Sequence, residues 1–369
     1  NLTSEFNLSA GDLGLLTSVF FLTFAVIQIP LGILLDQIGP RRTNFLFLLF
    51  ASMGAIGIAS SQTFQQLLIS RAVIGVGFAA ALMSSFKVFS LWFPKQWLPS
   101  LNGVVFFFGG LGAISATIPI LELLVFFNWR VIFYMSAFLT LFVAIFILIL
   151  VPEIKKAGSR ETFRGQLRGL IIIFSSSFFW KVATASTILS ATNMAVQTLW
   201  AGPWLNDVAS VEQSEAGGLL MLLGCATMLG FLFWGVLSTK LLGRGVEPLT
   251  IFKYGAGVFL CVQWLMVTNT TIFLPVIIAT YGFFGTVGSL SYVILSRGFP
   301  EEFGGRVNTA LNLLVFLAAF AIQWGFGIIV NFWYSPSLQG YEPVGYANAF
   351  LLFLLLQLPG YFWVLFSKS

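Results

Sequence analysis

From Leu13 to Leu35 the chain runs without a single charged side chain, and Val131 to Val151 and Ala349 to Phe366 repeat the pattern. A helix rises 1.5 Å per residue, so about 20 apolar residues cross the ~30 Å hydrocarbon layer of a bilayer. A soluble fold has no interior large enough to hide so many such stretches, because 58% of the 369 residues are hydrophobic and 8% are charged. The sequence therefore predicts an all-α, multi-span membrane protein. Barrel strands would alternate polar and apolar residues, and these continuous runs rich in Leu, Gly and Ala favour helices instead.

Apolar segments between polar or Gly/Pro turns give expected spans near 12–36, 43–60, 66–91, 98–124 and 130–151. After a polar linker come 178–200, 215–238, 249–268, 272–296, 306–331 and 345–367. Eleven is an odd number, so the two termini are expected on opposite sides. Alternate connections carry Arg41, Arg42, Lys95, Lys155, Lys156, Lys240, Arg244, Arg297 and Lys368, whereas the others carry Glu5, Asp207, Glu212, Glu215 and Glu342. Basic loops stay in the cytoplasm, which predicts an outer N-terminus and a cytoplasmic C-terminus in a cytoplasmic (inner) membrane. The net charge of +5 thus reads as membrane sidedness and not as a nucleic-acid footprint. Cys225 and Cys261 stand singly in apolar segments and suggest neither a disulfide framework nor a metal site. No cofactor is implied, and residues 1–12 do not read as a cleavable signal peptide.

The basic linker "PEIKKAGSRETFRGQLRG" separates an N-terminal group (1–151) from a C-terminal group (178–369), with 152–177 as a solvated cytoplasmic connection. Three landmarks recur between the groups. "LSAGDLGLL" resembles "QSEAGGLL", Gly32 in "GILLDQIGPRR" resembles Gly235 in "GVLSTKLLGRG", and "FPKQWLPSLNG" resembles "FPEEFGGRVNT". In the last pair Phe93 and Phe299, Pro94 and Pro300, and Asn102 and Asn308 are each 206 positions apart. The same offset puts the counterpart of span 178–200 before residue 1, so a six-plus-six architecture with its first helix missing from this chain is expected.

"GILLDQIGPRR" concentrates charge at the cytoplasmic end of the first span. Arg41 and Arg42 are accounted for by orientation alone, but Asp36 works against the positive-inside bias. That favours an electrostatic latch at Asp36, with Gly32 and Gly39 allowing close approach and a tight turn.

The stretch resembles motif A of the major facilitator superfamily, Gly-x-Leu-x-Asp-basic-x-Gly-basic-basic, with Gln37 and Pro40 in place of two basic residues. "RAVIGVGFAA" resembles the family's motif B, an arginine, Arg71, followed four residues on by Gly75. The resemblance extends to the two halves and the linker. It implies two pseudo-symmetric six-helix bundles, with spans two to six in 1–151 and spans seven to twelve in 178–369. It also implies that Asp36 helps hold the halves together on the cytoplasmic side in an outward-open state. The second-half copy has Thr239 where the acid would stand, so little latch function is expected there.

Ionisable residues inside spans are costly and mark function. Arg71 and Glu122 lie about equally far from one cytoplasmic turn and are expected to approach each other near the outer face, as a static pair or a coupling pair. Lys87 lies nearer the cytoplasm, where snorkelling competes with solute contact. The resemblance places the solute pocket at the midplane, which makes Asn193, Gln197, Tyr281 and Gln323 the candidate binding residues, together with Lys87. Trp200 and Trp204 read as an aromatic belt anchor or a gate.

No P-loop, histidine or Gly-x-Ser-x-Gly is present, which argues against an ATP-driven pump, a metalloenzyme and a membrane protease. The reading is a non-enzymatic secondary active transporter, monomeric in the lipid bilayer. It is expected to take up a small organic solute by alternating access with proton coupling, with a preference for an anionic or zwitterionic one. The alternatives are a proton-coupled exporter of drugs or metabolites and a transporter-like receptor that does not transport.

Overall fold

The structure, a computed structural model, describes residues 5–93, 104–105, 108–112, 115–116, 118–152, 169, 171–242, 244–300, 304–336 and 340–367. Its elements are almost all helical: α1 (Ala10–Gln37), α2 (Pro40–Ser60), α3 (Phe64–Trp92), α4 (Ile118–Phe126) and α5 (Trp129–Leu150) come first. Next are α6 (Ser177–Ala195), a π-helical turn (Val196–Trp200), α7 (Ala201–Asp207), α8 (Gln213–Leu242) and α9 (Pro248–Val267). The chain continues through α10 (Leu274–Gly285), a 3₁₀ turn (Thr286–Ser289), α11 (Leu290–Gly298), α12 (Gly304–Asn331) and α13 (Pro343–Phe366). Strands β1 (Tyr334–Ser335) and β2 (Gly340–Tyr341) pair antiparallel just before α13.

Among the described residues nine helical segments are long and apolar enough to cross a membrane. The span expected at 98–124 is described only in part, with its last turns forming α4. Most of the basic linker lies outside the described residues, as do Lys95 and Lys368. Helix ends follow local chemistry. Thr63 and Gln66 form a reciprocal capping box at the start of α3, and the Asn128 side chain caps α5. Proline stands at the start of α2, α9, α10 and α13, where its missing N–H costs nothing.

The helices gather into two compact units. One comprises residues 1–8, 15–109 and 119–168, and the other residues 9–14, 110–118 and 169–369. The first unit is knit by small residues. A Cβ at Gly77 would collide with the backbone N of Ala51, and one at Gly54 would lie 2.8 Å from Ser70 O, so α2 and α3 meet backbone to backbone. On its other side α2 meets α5, where Ser52 Oγ donates to Ala137 O at 2.9 Å and Ala137 is fully buried. The outer face of α5 is bare hydrocarbon: Phe138, Leu139, Phe142 and Ile149 are each more than 60% exposed. Such a face belongs in lipid.

The second unit uses the same device with different partners. Gly360 on α13 crosses the backbone of α6 at Thr184 and Ala185, and Gly282 on α10 crosses α8 at Leu223. Between α9 and α13 sits a buried amide pair. Gln263 Nε2 donates to Gln357 Oε1 at 3.0 Å, while Gln357 Nε2 donates to Gln263 Oε1 at 2.8 Å and also to Phe353 O at 2.9 Å. Both side chains are at most 1% exposed, so each amide satisfies the other where water cannot. Replacing Gln263 alone by Leu should therefore lower stability by about 1–2 kcal/mol by stranding Gln357, whereas the Gln263→Leu, Gln357→Leu double variant should recover most of it. Thermal unfolding of both variants in detergent measures this.

In the first unit, Glu5 ties the beginning of the chain to α5. Its Oε1 pairs with Arg130 Nη1 at 2.7 Å, and Oε2 accepts from Trp129 Nε1 at 2.9 Å. Arg130 also lies over the Trp129 ring at 4.2 Å and donates to Ser61 O at 3.1 Å. Hydrogen bonds from Trp129 and then Arg130 hold the Glu5 carboxyl below the usual glutamate range. A carboxyl depressed on folding contributes stability above its unfolded pKa of about 4.3 and loses it as pH falls through the lower folded value. Glu5→Gln should accordingly melt below wild type at neutral pH, and the difference should close as the pH is taken well below ~4.

Candidate functional site

The motif A segment forms the α1–α2 turn. Gly39 adopts φ +84° and ψ 159°, a conformation open to glycine and hostile to a side chain, and Pro40 starts α2 directly after it. Thr43 locks the turn, its hydroxyl 2.8 Å from Gly39 O and 3.2 Å from Leu34 O. The turn between α8 and α9 also uses a glycine at positive φ, Gly245 at +82°, which is 206 positions after Gly39. The offset read from the Phe93 and Phe299 pair thus recurs in backbone geometry. Arg41 Nη1 donates to Val151 O at 3.2 Å, binding the turn to the end of α5, and Arg42 is exposed. Gly32 and Asp36 lie in the last turns of α1, and the Asp36 side chain falls outside the described residues.

Motif B places its two residues on one face of α3. A Cβ at Gly75 would collide with Thr23 Oγ1 and lie 2.5 Å from Phe20 O, so this glycine is where α1 crosses α3. One turn earlier the Arg71 guanidinium lies over the Phe20 ring at 5.6 Å. The expected approach of Arg71 to Glu122 is not found. No ion pair joins them among the described residues, and Glu122 is exposed on α4. The aromatic ring of Phe20, offered by the glycine-enabled crossing of α1, takes the place given to the acid. Lys87 is partly buried near the end of α3.

The second unit carries the other candidates, and its backbone is irregular where they sit. Pro203 has no N–H to offer Leu199 O, and just before it the α-ladder loosens into a π turn in which Ala201 N–H donates to Val196 O. Thr198 in that turn has its hydroxyl 2.7 Å from Met194 O and 3.1 Å from Gln323 Oε1, with one proton to serve both. Trp200 Nε1 donates to Gln323 O at 3.0 Å, and its ring stacks on Phe326 at 4.8 Å. Trp200 and Trp204 are at most 1% exposed, so they pack inside the unit and do not form a lipid-facing belt.

A second break, the 3₁₀ turn at 286–289, faces α6. A Cβ at Gly285 would collide with Asn193 Oδ1, and one at Gly288 with Ser190 Oγ. These two glycines therefore seat the polar side chains of α6 directly on the neighbouring backbone. Asn193 Oδ1 and Tyr281 Oη are buried with no hydrogen-bond partner among the described residues. Tyr281 lies one turn before Gly285 and packs on Phe259 at 4.9 Å. Asn193 and Tyr281 are thus brought to one region through Gly285, while Gln323 is tied to Thr198 and Trp200 in the π turn. Gln197 is partly buried in the same turn. Sequence reasoning missed Ser190, Thr198, Gly285 and Gly288; the Gly-Pro at 202–203 was the one local signal for the first break.

Unpaired buried oxygens and irregular backbone in an apolar unit suit the binding of a small polar molecule. The family profile of the Major Facilitator Superfamily matches residues 1–323. The chain is 24% identical over 363 residues to the probable galactarate/D-glucarate transporter GudP of Bacillus subtilis, covering 89% of this chain and 79% of that protein. It is 33% identical over 150 residues to the probable L-galactonate transporter of Escherichia coli, 39% of this chain and 32% of that one. The matches to the nitrate/nitrite transporters NrtP of Picosynechococcus and Nostoc punctiforme span less than a quarter of those proteins. Among solved structures, the nucleoside transporter NupG superposes with a TM-score of 0.70 at 10% identity, over 98% of this chain and 92% of that one. A bacterial homologue of the lysosomal transporter Spinster gives 0.69 at 16%, over 99% and 90%. By its sequence profile and by the shared fold, this multi-pass membrane protein belongs to the major facilitator superfamily.

Proposed function

We propose that the protein is a secondary active transporter that moves a small organic anion across a cytoplasmic membrane by alternating access, in the direction of uptake and coupled to protons. The observation that carries this reading is the meeting of Asn193 with the broken α10–α11 span, where two buried oxygens lack partners. Irregular backbone persists at membrane depth where it is buried in protein or lines a cavity, and interrupted helices mark solute sites in transporters. Arg71 supports the anionic charge of the solute, because its guanidinium is without a carboxylate partner among the described residues. The relatives support it too: galactarate, glucarate, galactonate and nitrate, named for them, are all anions.

In this reading Asn193, Gln197, Tyr281 and Gln323 contact the solute, Lys87 is a separate candidate for attracting its charge, and Arg71, Gly75 and Glu122 serve coupling. Gly32, Asp36, Gly39, Arg41 and Arg42 form the latch, and the C-terminus faces the cytoplasm of a monomeric protein. Purified protein in liposomes should accumulate radiolabelled D-glucarate when the outside is made acidic and lose the accumulation on addition of a protonophore. Asn193→Ala should raise the half-saturating concentration by roughly tenfold, the equivalent of about 1.4 kcal/mol. Absence of saturable uptake of D-glucarate and L-galactonate alike would contradict the proposal. Asp36→Asn should shift the balance of inward- and outward-open states, and an unchanged balance with unchanged flux would remove Asp36 from the latch.

A further inference from the structure

Asp207 is held in surroundings built against its charge. It is the last residue of α7 and hence of the helical run that begins at Ser177, so it sits at the negative end of a helix dipole. The residue is partly buried, and Tyr346 on α13, itself fully buried, donates its hydroxyl proton to Asp207 Oδ2 at 2.5 Å. Among the described residues no base is paired with the acid. The sequence contains no Lys or Arg between Lys181 and Lys240, nor between Arg306 and Lys368, and among the described residues Asp207 forms no ion pair.

The other titratable groups around it are also acids or phenols. Tyr341 on β2 interacts electrostatically with Asp207, Tyr346 and Asp12, and its hydroxyl accepts the Ala10 N–H at 2.7 Å. Asp12, in the segment 9–14 that belongs to this unit, accepts from Ser9 N at 3.1 Å and from Ser9 Oγ at 2.7 Å. Glu212 and Glu215, exposed beyond Asp207, add only more negative charge. Burial pushes the Asp207 carboxyl above the usual aspartate range, and the Tyr346 hydrogen bond draws it back in part.

We propose that Asp207 and Tyr346 form a proton-binding site of the second unit. A proton taken from water binds Oδ1 and leaves Oδ2 to accept from Tyr346, so the hydrogen bond survives protonation while the charge does not. The site stands on this chemistry alone; its use as the entry point for a coupling proton rests on the transport reading above, and its titration is measured without any solute.

Purified full-length protein in detergent is melted across pH values from about 9 to about 4, as wild type, Asp207→Asn and Tyr346→Phe. A carboxyl whose pKa is raised on folding adds stability below its unfolded value and loses it as pH rises through the folded value. Wild type should therefore melt below Asp207→Asn at alkaline pH and converge with it in acid. Tyr346→Phe removes the bond that favours the charged form, so its titration should move to higher pH. Infrared spectra of wild type should retain a neutral carboxylic-acid carbonyl band above the ordinary aspartate range, and the band should be absent in Asp207→Asn. A wild-type spectrum without that band overturns the proposal. So does a difference between wild type and Asp207→Asn that is independent of pH, or a titration that Tyr346→Phe leaves in place or moves downward.

Discussion

Each backbone N–H and C=O in hydrocarbon has to find its partner within the protein, because lipid offers none and an unpaired group costs several kcal/mol. This chain meets the demand with helices that satisfy their own ladders, and the rest of its chemistry follows. Side chains are released from that duty and are free to be apolar on the lipid side, as on α5. Where helices touch, the residue of choice becomes glycine or alanine, since no hydrophobic force drives one apolar helix onto another and contact depends on close packing. Gly77 against Ala51, Gly75 against Phe20, and Gly360 against Thr184 are the same solution in different places.

The few polar groups inside the units divide into two kinds. Gln263 and Gln357 pair their side-chain amides and serve the α9–α13 contact. Tyr292 and Asn312, with 2.8 Å between Oη and Oδ1, do the same for α11 and α12. Asn193 and Tyr281, like Ser84 and Thr187, are of the other kind: each keeps a buried oxygen without a partner among the described residues. An unsatisfied buried oxygen lowers stability, and at Asn193 and Tyr281 it coincides with two departures from regular helix.

Most of the helices were legible because length and lack of charge are one-dimensional signals: span 130–151 and α5 differ by a residue at each end. The α1–α2 turn was legible because Gly39 and Pro40 have backbone requirements that their identities announce. Packing partners were not legible. Arg71 and Glu122 share a distance from one turn, but distance along two helices does not fix their rotation, and Arg71 lies over Phe20 instead. Trp200 and Trp204 have the position of interface anchors, whereas stacking on Phe326 and a hydrogen bond to Gln323 take Trp200 inside. The seat of Asn193 on Gly285 joins residues far apart in sequence, and no local pattern reports it.

Transport of the proposed kind requires helices that cross a bilayer with acidic connections on one side and basic ones on the other. Helix α8 joins one of each, with Glu212 just before it and Arg244 just after. With Cys225 and Cys261 replaced by serine, Glu212→Cys and Arg244→Cys can be probed singly with a membrane-impermeant maleimide on intact cells. The prediction is that Glu212→Cys labels at once and Arg244→Cys labels only after the cells are permeabilised; labelling of both from outside, or the reverse order, would contradict it.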